Sequence, residues 1–583
     1  MNEYQILLKE WLDALLNLQI SGTNNSRLDG ALLCPACCTI HGRCGDAIYP
    51  LVYMYSLTGD EKYLDSADAL FEWTEANMIV AGGGYNNGVK SSWTGITVFA
   101  AIGLGKTLLE HKEDIGEARY KKWLTTFLRL ANFLDEYFKV SMPNINYAIS
   151  YTAELAIAYK LTGDERYKKD ARYWYEFSRA KFTSDGLIYG EGTPMELVTE
   201  RGCRSIDLGY NVEESLPNLV LYAKLLGDDE ALSELVPILK SHLEFMLPDG
   251  GWDNSFGSRF AKWSYWGSRT ADGCQTAYVL LADKYPEFGE AAHRSFELYR
   301  RCTINGLLAG GPMYEDAGEP PCSHHTFCHV KAMAVMAKSG YEHKEKNVIP
   351  RESANGIKRY PSLDVILASR GDWRATVSGY DFKQYENVYP TGGALTLLWN
   401  NKCGPLAAAS MTEYKLLESG NMQQPKNPVR CSTIRIEANA DNELYRSIND
   451  TKSTIVFSDE NGVIDVKATG ILKTAAEKSL LDSDYMVNYV FTENEMKLIV
   501  CCGVDATLIL PIVSSKRENV SLDCDKCTIT GDVKKTISAN GGQLVCGAKD
   551  GERQFNPVGG LNYLPLGVRL HAGEKCTVTV TVE

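Results

Sequence analysis

Apolar residues recur at helical spacing through about residue 345. The amphipathic stretches are joined by short turns, and one phrase returns. It reads Leu57-Thr58-Gly59-Asp60-Glu61-Lys62-Tyr63 and later Leu161-Thr162-Gly163-Asp164-Glu165-Arg166-Tyr167, with a weaker copy at Leu226-Gly227-Asp228-Asp229-Glu230. A degenerate copy lies around Gly116-Glu117-Ala118-Arg119-Tyr120. The three clear copies each follow an apolar run (YPLVYMYS, AELAIAYK, PNLVLYAK) and precede an amphipathic one. Glycine supplies the left-handed end of one helix and aspartate the N-cap of the next, so the phrase predicts a helical hairpin turn. Such hairpins bury their apolar faces only against neighbours, in an open solenoid or a closed ring. The linkers Gly82-Gly83-Gly84-Tyr85, 249–256 and 306–314 carry aromatics and amides instead of simple turn residues. In a ring, loops of this kind gather on one face, where binding residues sit.

Beyond residue 345 the period changes to two. Leu363-Asp364-Val365-Ile366-Leu367, Trp373-Arg374-Ala375-Thr376-Val377, Lys497-Leu498-Ile499-Val500 and Thr577-Val578-Thr579-Val580-Thr581 read as strands. Turn signals such as Glu460-Asn461-Gly462 and Asn540-Gly541-Gly542 separate the runs. The expectation is an antiparallel β-sandwich. The polar stretch 341–358, broken by Pro350, reads as the linker, so the domains are 1–345, an (α/α) toroid, and 346–583, the sandwich.

Length and composition fit that division. The chain has 583 residues, 44% hydrophobic and 23% charged, which is the range of globular proteins. No apolar run approaches the ~20 residues of a membrane span. The net charge of −14 argues against a nucleic-acid partner but leaves room for a local basic cleft and an anionic small substrate. The N-terminus, MNEYQILLKEWLDALLNLQI, reads as a helix and lacks the features of a secretory signal. The 17 cysteines are odd in number and scattered, as expected of reduced thiols. Together these imply a cytoplasmic location.

Several clusters carry candidate chemistry. Gly103-Leu104-Gly105-Lys106-Thr107 looks like the end of a phosphate loop, but Ala100 stands where its first glycine is needed and no strand precedes it; it reads as helix. Cys34, Cys37, Cys38, His41 and Cys44 form a C-x-x-C-x3-H-x-x-C pattern. Zinc could take four of these ligands; alternatively His41, Arg43 and Asp46 line a cleft, or the segment simply packs. The run 201–214 is rich in polar groups and enters a helix. The stretch 252–269 holds Trp252, Trp263, Trp266, Tyr265, Arg259, Lys262 and Arg269. Rings beside cations suit an acidic sugar, with the aromatic stacking on the pyranose and arginine gripping the carboxylate. Pro321–His329 holds His324, His325 and His329, read as a metal pair, cleft residues or buried structural histidines.

The hairpin ring, the sandwich after it, the span Arg259–Tyr265 and the strand Gly371-Asp372-Trp373-Arg374-Ala375-Thr376 resemble polysaccharide lyases of the heparinase II/III-like superfamily. The resemblance covers essentially the whole chain. It implies β-elimination at a uronic acid, a carbon–oxygen lyase reaction that needs no organic cofactor; a structural divalent ion near the domain junction would fit some relatives. Removing the C5 proton builds charge on the carboxylate, so the chemistry needs a neutraliser, a base at C5 and an acid at O4.

The resemblance places Asn146 as neutraliser at a helix start, Tyr265 as the catalytic tyrosine and Arg259 as the cation beside it. Tyr210 stands where relatives carry histidine, as partner or base. Substrate contacts are expected from His41, Arg43, Asn211, Trp252, Trp263, Trp266, Arg269, His324 and His325. From the sandwich, Tyr380, Tyr385 or Tyr389 could reach across. The expected partner is an acidic poly- or oligosaccharide, with no nucleic acid and no membrane. A hydrolase on a similar toroid is the alternative, using Asp207, Glu213, Asp253 or Asp272, and a non-catalytic glycan binder is the third reading.

Overall fold

The computed structural model describes all residues except 89–90, 267–272, 419–421, 423–424, 426 and 549–550, and the backbone alone of Trp266. The helices are α1 (Glu3–Leu18), α2 (Ile48–Thr58), α3 (Glu61–Asn77), α4 (Thr97–Glu110), α5 (Lys112–Val140), α6 (Ile145–Thr162), α7 (Glu165–Arg179), α8 (Leu208–Tyr210), α9 (Leu216–Leu226), α10 (Asp229–Leu243), α11 (Gln275–Val279), α12 (Pro286–Arg301), α13 (Tyr314–Ala317) and α14 (Ser323–Lys338). A π turn at Asn211–Ser215 joins α8 to α9.

The repeated phrase is the hairpin turn it predicted. Gly59, Gly163 and Gly227 end α2, α6 and α9 in the left-handed conformation. Asp60, Asp164 and Asp228 then cap α3, α7 and α10 by accepting from the backbone N–H of Lys62, Arg166 and Ala231. The degenerate copy behaves differently. The turn between α4 and α5 falls at His111, and Gly116, at φ 75°, is a kink inside α5. The glycine-lysine phrase at 103–107 lies within α4, where Lys106 pairs with Glu110 at 2.7 Å.

Ring closure follows from which helices pack. The first helix of each hairpin is apolar on nearly all sides (α6 is buried from Ile145 to Ala158 apart from Tyr147), so it takes the inner position. Neighbours α2, α4, α6, α9, α11 and α14 pack in that order, and α14 returns to α2. The more polar partners α3, α5, α7, α10 and α12 stand outside. Among the described residues no helix is long and apolar enough to cross a membrane.

The β half is two antiparallel sheets. One has five strands in sequence order, from Gly356–Tyr360 through Val365–Arg370, Trp373–Ser378 and Ala394–Asn400 to Gly404–Ala408. The other has 14 strands among the described residues. The five-stranded sheet is covered on both faces. Val365 and Leu367 face the helical core, while Ile366 and Ala368 pack with Ile436, Val466 and Leu498 of the larger sheet. That explains why Val365–Arg370 is buried almost throughout instead of alternating with water.

An ion pair pins the junction. Arg351, 1% exposed, donates to Asp253 at 2.8 Å, to the Thr376 hydroxyl at 2.7 Å and to the Ala375 carbonyl at 3.2 Å. Removing Asp253 strands a buried guanidinium. Asp253→Ala should therefore lower unfolding free energy by about 3–5 kcal/mol in urea titrations, and Asp253→Leu with Arg351→Met should recover much of it. A loss below about 1 kcal/mol for the single variant would show that this pair does not hold the junction.

Candidate active site

The site is built where the segments leading into the inner helices converge, and Asp207 is its organising residue. It caps α8: one carboxylate oxygen accepts from the Tyr210 N–H and the other from the Arg259 N–H, both at 3.0 Å. Segments 52 residues apart are thereby locked together. Between them Gly209 must lack a side chain, because a Cβ there would lie 2.1 Å from the Trp263 indole. Arg259 then stacks over the Tyr210 ring, its guanidinium carbon 4.7 Å from the centroid. Lys262, in the helical turn Phe260–Lys262, hydrogen-bonds the Tyr210 hydroxyl. Negative charge on that oxygen would face two cations. Burial and the neighbouring Arg259 push the Lys262 ammonium below its ordinary range, against the opposing pull of Glu418. Glu418 pairs with both cations at 2.7 Å and accepts from Tyr385 at 3.0 Å, so the sandwich closes this side.

Arg259 links this group to a second one. Its Nη1 is 3.7 Å from Glu191. The other Glu191 oxygen accepts from the Asn146 N–H at 2.9 Å, in the first turn of α6. Complete burial pushes Glu191 up to about 8, against the opposing pull of Arg259 and the Asn146 N–H. At neutral pH it is therefore chiefly a neutral carboxyl. The Asn146 amide donates to Glu214 at 2.5 Å. Three polar atoms here, Asn146 Oδ1, Glu191 Oε2 and Arg259 Nε, are buried with no hydrogen-bond partner among the described residues. Beyond Glu214, Arg43 lies 4.0 Å away and is clamped on Asp46 at 2.7 Å; Lys331 meets Asp46 at 3.1 Å. Burial opposes ionisation of Asp46, but Arg43 and Lys331 hold it below the usual carboxylate range. Ionisable groups of alternating sign thus run across the ring.

Of the sequence candidates, Asn146, Tyr210, Arg259 and Arg43 enter this network. Tyr265 does not. Its hydroxyl bonds Asp249, and burial and that carboxylate push the phenol far up. The chain runs extended from Trp263, and three residues carry it up to about 10 Å away from Lys262, towards the loop after α10. Trp252 and Trp263 are also corrected: both are buried, Trp252 on Tyr278 at 5.6 Å and Trp263 against Gly209, so neither offers a stacking face. Asn211 turns inward to the Ile188 carbonyl at 2.9 Å and His242 at 3.1 Å. His324 packs on His41, ring centroids 4.4 Å apart, and His325 is wholly buried in α14. The Trp266 side chain, Arg269 and Asp272 lie outside the described residues. Tyr385 reaches the site, Tyr389 bonds the Ser258 carbonyl at 2.6 Å beside it, and Tyr380 bonds the Arg204 carbonyl at 3.0 Å.

Glu191, Glu418, Tyr147 and Trp93 were not singled out. Nothing local marks the two glutamates. Trp93 did carry a signal, a tryptophan in a polar loop. It is 38% exposed, unlike the buried tryptophans above, and donates to the Tyr147 hydroxyl at 3.1 Å. The carboxylates a hydrolase would need are engaged: Asp207 by two backbone N–H groups, Asp253 by Arg351, and Glu213 beside the Cys274 thiol at 3.4 Å.

Comparison with known proteins gives the family of the chain. Residues 8–354 match the ulvan lyase N-terminal domain and residues 357–583 the ulvan lyase C-terminal domain. The chain is 40% identical over 579 residues to a broad-specificity ulvan lyase of Formosa agariphila, covering 96% of this chain and 90% of that protein. Among solved structures it is similar to a heparinase III (TM-score 0.55, 13% identity, 97% of this chain and 79% of that one). A second heparinase III gives a TM-score of 0.50 at 11% identity, over 100% and 84% of the two chains.

The buried Glu191 has a measurable consequence. Its folded value of about 8 lies above the usual 4.5, so between those values the folded chain keeps a proton that the unfolded chain releases. Stability from this group is complete below 4.5 and is lost as pH rises towards 8, by up to about 1.4 kcal/mol per pH unit. Glu191→Gln should remove that slope in unfolding free energy measured against pH; parallel curves for the two proteins would contradict it.

Proposed function

The chain belongs to the ulvan lyase family, and on that premise we propose that it acts on an ulvan-type polysaccharide, with Tyr210 at the reacting centre. It is a polysaccharide lyase that cleaves uronic-acid-containing glycans by β-elimination, a carbon–oxygen lyase reaction. Ulvan contains uronic acid, which supplies the acidic proton the reaction requires.

In the proposed arrangement the uronate carboxylate lies against Asn146 and the protonated Glu191. The C5 proton is very weakly acidic, and its removal pushes electron density onto that carboxylate. A neutral carboxyl and an amide can donate to the developing charge, and Arg259 adds a fixed positive one. The Tyr210 oxygen, reacting as the phenolate that Arg259 and Lys262 face, takes the proton. The C5–H electron pair becomes the C4=C5 double bond, the C4–O4 bond breaks, and the phenol returns its proton to O4. A single residue serves both steps when the proton and the leaving group lie on the same side of the ring. Trp93, exposed at the rim, offers a face for an adjoining sugar.

The observation that carries this reading is the phenol of Tyr210 between two buried cations, one of which also touches Glu191.

Product formation can be followed by the absorbance of the unsaturated uronate. Tyr210→Phe should lower kcat/KM on ulvan by roughly 10²–10⁴-fold. Tyr265→Phe should stay within several-fold of the parent. A fully active Tyr210→Phe enzyme beside an inactive Tyr265→Phe one would overturn the assignment.

A further inference from the structure

We propose that Cys34, Cys37, His41 and Cys322 bind one zinc ion that fastens the segment before α2 to the start of α14. Zinc in a closed protein site takes four ligands at tetrahedral corners, about 2.3 Å from sulfur and about 2.0 Å from nitrogen, which sets ligand–ligand edges of about 3.5–3.8 Å. Two of the six edges already lie near those lengths, and Cys322 meets the group through Cys34. The Cys34 and Cys37 sulfurs and a ring nitrogen of His41 lie within 4.8 Å of one another. Cys37 Sγ is 3.3 Å from His41 Nε2, and Cys34 Sγ is 3.6 Å from Cys322 Sγ.

Local structure accounts for the three donors nearest in sequence. The Cys38 N–H returns to the Cys34 carbonyl at 2.9 Å, and Cys38 takes a positive φ of 52°. This tight turn brings the Cys34 and Cys37 sulfurs together. Cys38 points outward and Cys44 is buried in the following helical turn, so neither joins. The fourth donor is 288 residues from Cys34 and ends the loop that caps α14. Spacing in the sequence could not have supplied it. Cys34 and Cys322 are buried and Cys37 is exposed, which leaves the ion an entry path.

The location gives the ion a structural purpose. His41 immediately precedes the turn Gly42–Ala47 that holds Arg43 and Asp46. Cys322 immediately precedes α14, which holds Lys331. A metal clip would set the Arg43–Asp46–Lys331 group without touching substrate. Removing it should loosen that end of the network.

Metal analysis of the full chain, equilibrated with zinc and then desalted, tests the site. The expected result is one zinc per chain, with X-ray absorption showing three sulfur neighbours and one nitrogen. Cys37→Ser and Cys322→Ser should each bind at least tenfold less zinc and unfold at lower temperature than the parent. Cobalt substitution of the parent provides a reading that does not depend on the variants folding: sulfur-to-cobalt charge-transfer bands and tetrahedral visible bands are expected. Less than about a tenth of an equivalent of zinc in the parent, a Cys34–Cys322 disulfide in the protein isolated under reducing conditions, or unchanged sulfur coordination in folded Cys322→Ser would overturn the proposal.

Discussion

The Asp207 carboxylate is the constraint on which the site depends. One oxygen holds the backbone of Tyr210 and the other the backbone of Arg259, so the phenol and the guanidinium are stacked by the main chain and not by their own long side chains. Main-chain anchoring matters because a flexible arginine loses substantial rotamer entropy on ordering. Asn254 steadies the same carboxylate at 3.3 Å, and its own carbonyl accepts from the Gly209 N–H at 3.3 Å. Burial raises the Asp207 pKa, while its backbone hydrogen bonds favour the charged form. The outcome is a rigid base for a stack of charges.

That base stands within a larger electrostatic problem. Arg43, Asp46, Glu191, Glu214, Arg259, Lys262 and Lys331 are all removed from water or nearly so. Isolated buried ions are costly, and they persist only when paired and hydrogen-bonded. Here each ion has an opposite neighbour, and Glu191 escapes the cost by keeping its proton. The ring architecture makes this arrangement attainable: segments entering α2, α6 and α9 meet at one end, and the sandwich adds Tyr385 and Glu418 as cover. Among the described residues Asn146 Oδ1, Glu191 Oε2 and Arg259 Nε are left without partners; the Arg259 N–H and the protonated Glu191 can donate to an anionic ligand, and the Asn146 amide oxygen can accept from a sugar hydroxyl.

Much of the fold was legible. The Gly-Asp phrase encodes a helix stop and a helix start in adjacent residues, so three hairpins could be located without any tertiary information. The same logic failed at Gly116, where the glycine bends a helix and His111 makes the turn. In the site, Asn146, Tyr210 and Arg259 were readable as residue types suited to the chemistry. Tyr265, near Arg259 in the sequence, lies outside this network because an extended segment carries it to Asp249. The tryptophans at 252 and 263 looked like a sugar platform but are buried, Trp252 on Tyr278 and Trp263 against Gly209 of α8. Glu191 and Glu418 had no local signature, since their roles arise from burial and from the meeting of two domains. Cys322 belongs to the same class of long-range information.

The most direct test of the central claim is a crystal structure of the Tyr210→Phe protein with a uronate-containing ulvan oligosaccharide. The uronate carboxylate should be hydrogen-bonded to Asn146 and Glu191, with C5 and O4 about 3–3.5 Å from the place of the missing hydroxyl. A carboxylate bound beside Tyr265, or on any surface away from Asn146 and Arg259, would contradict it.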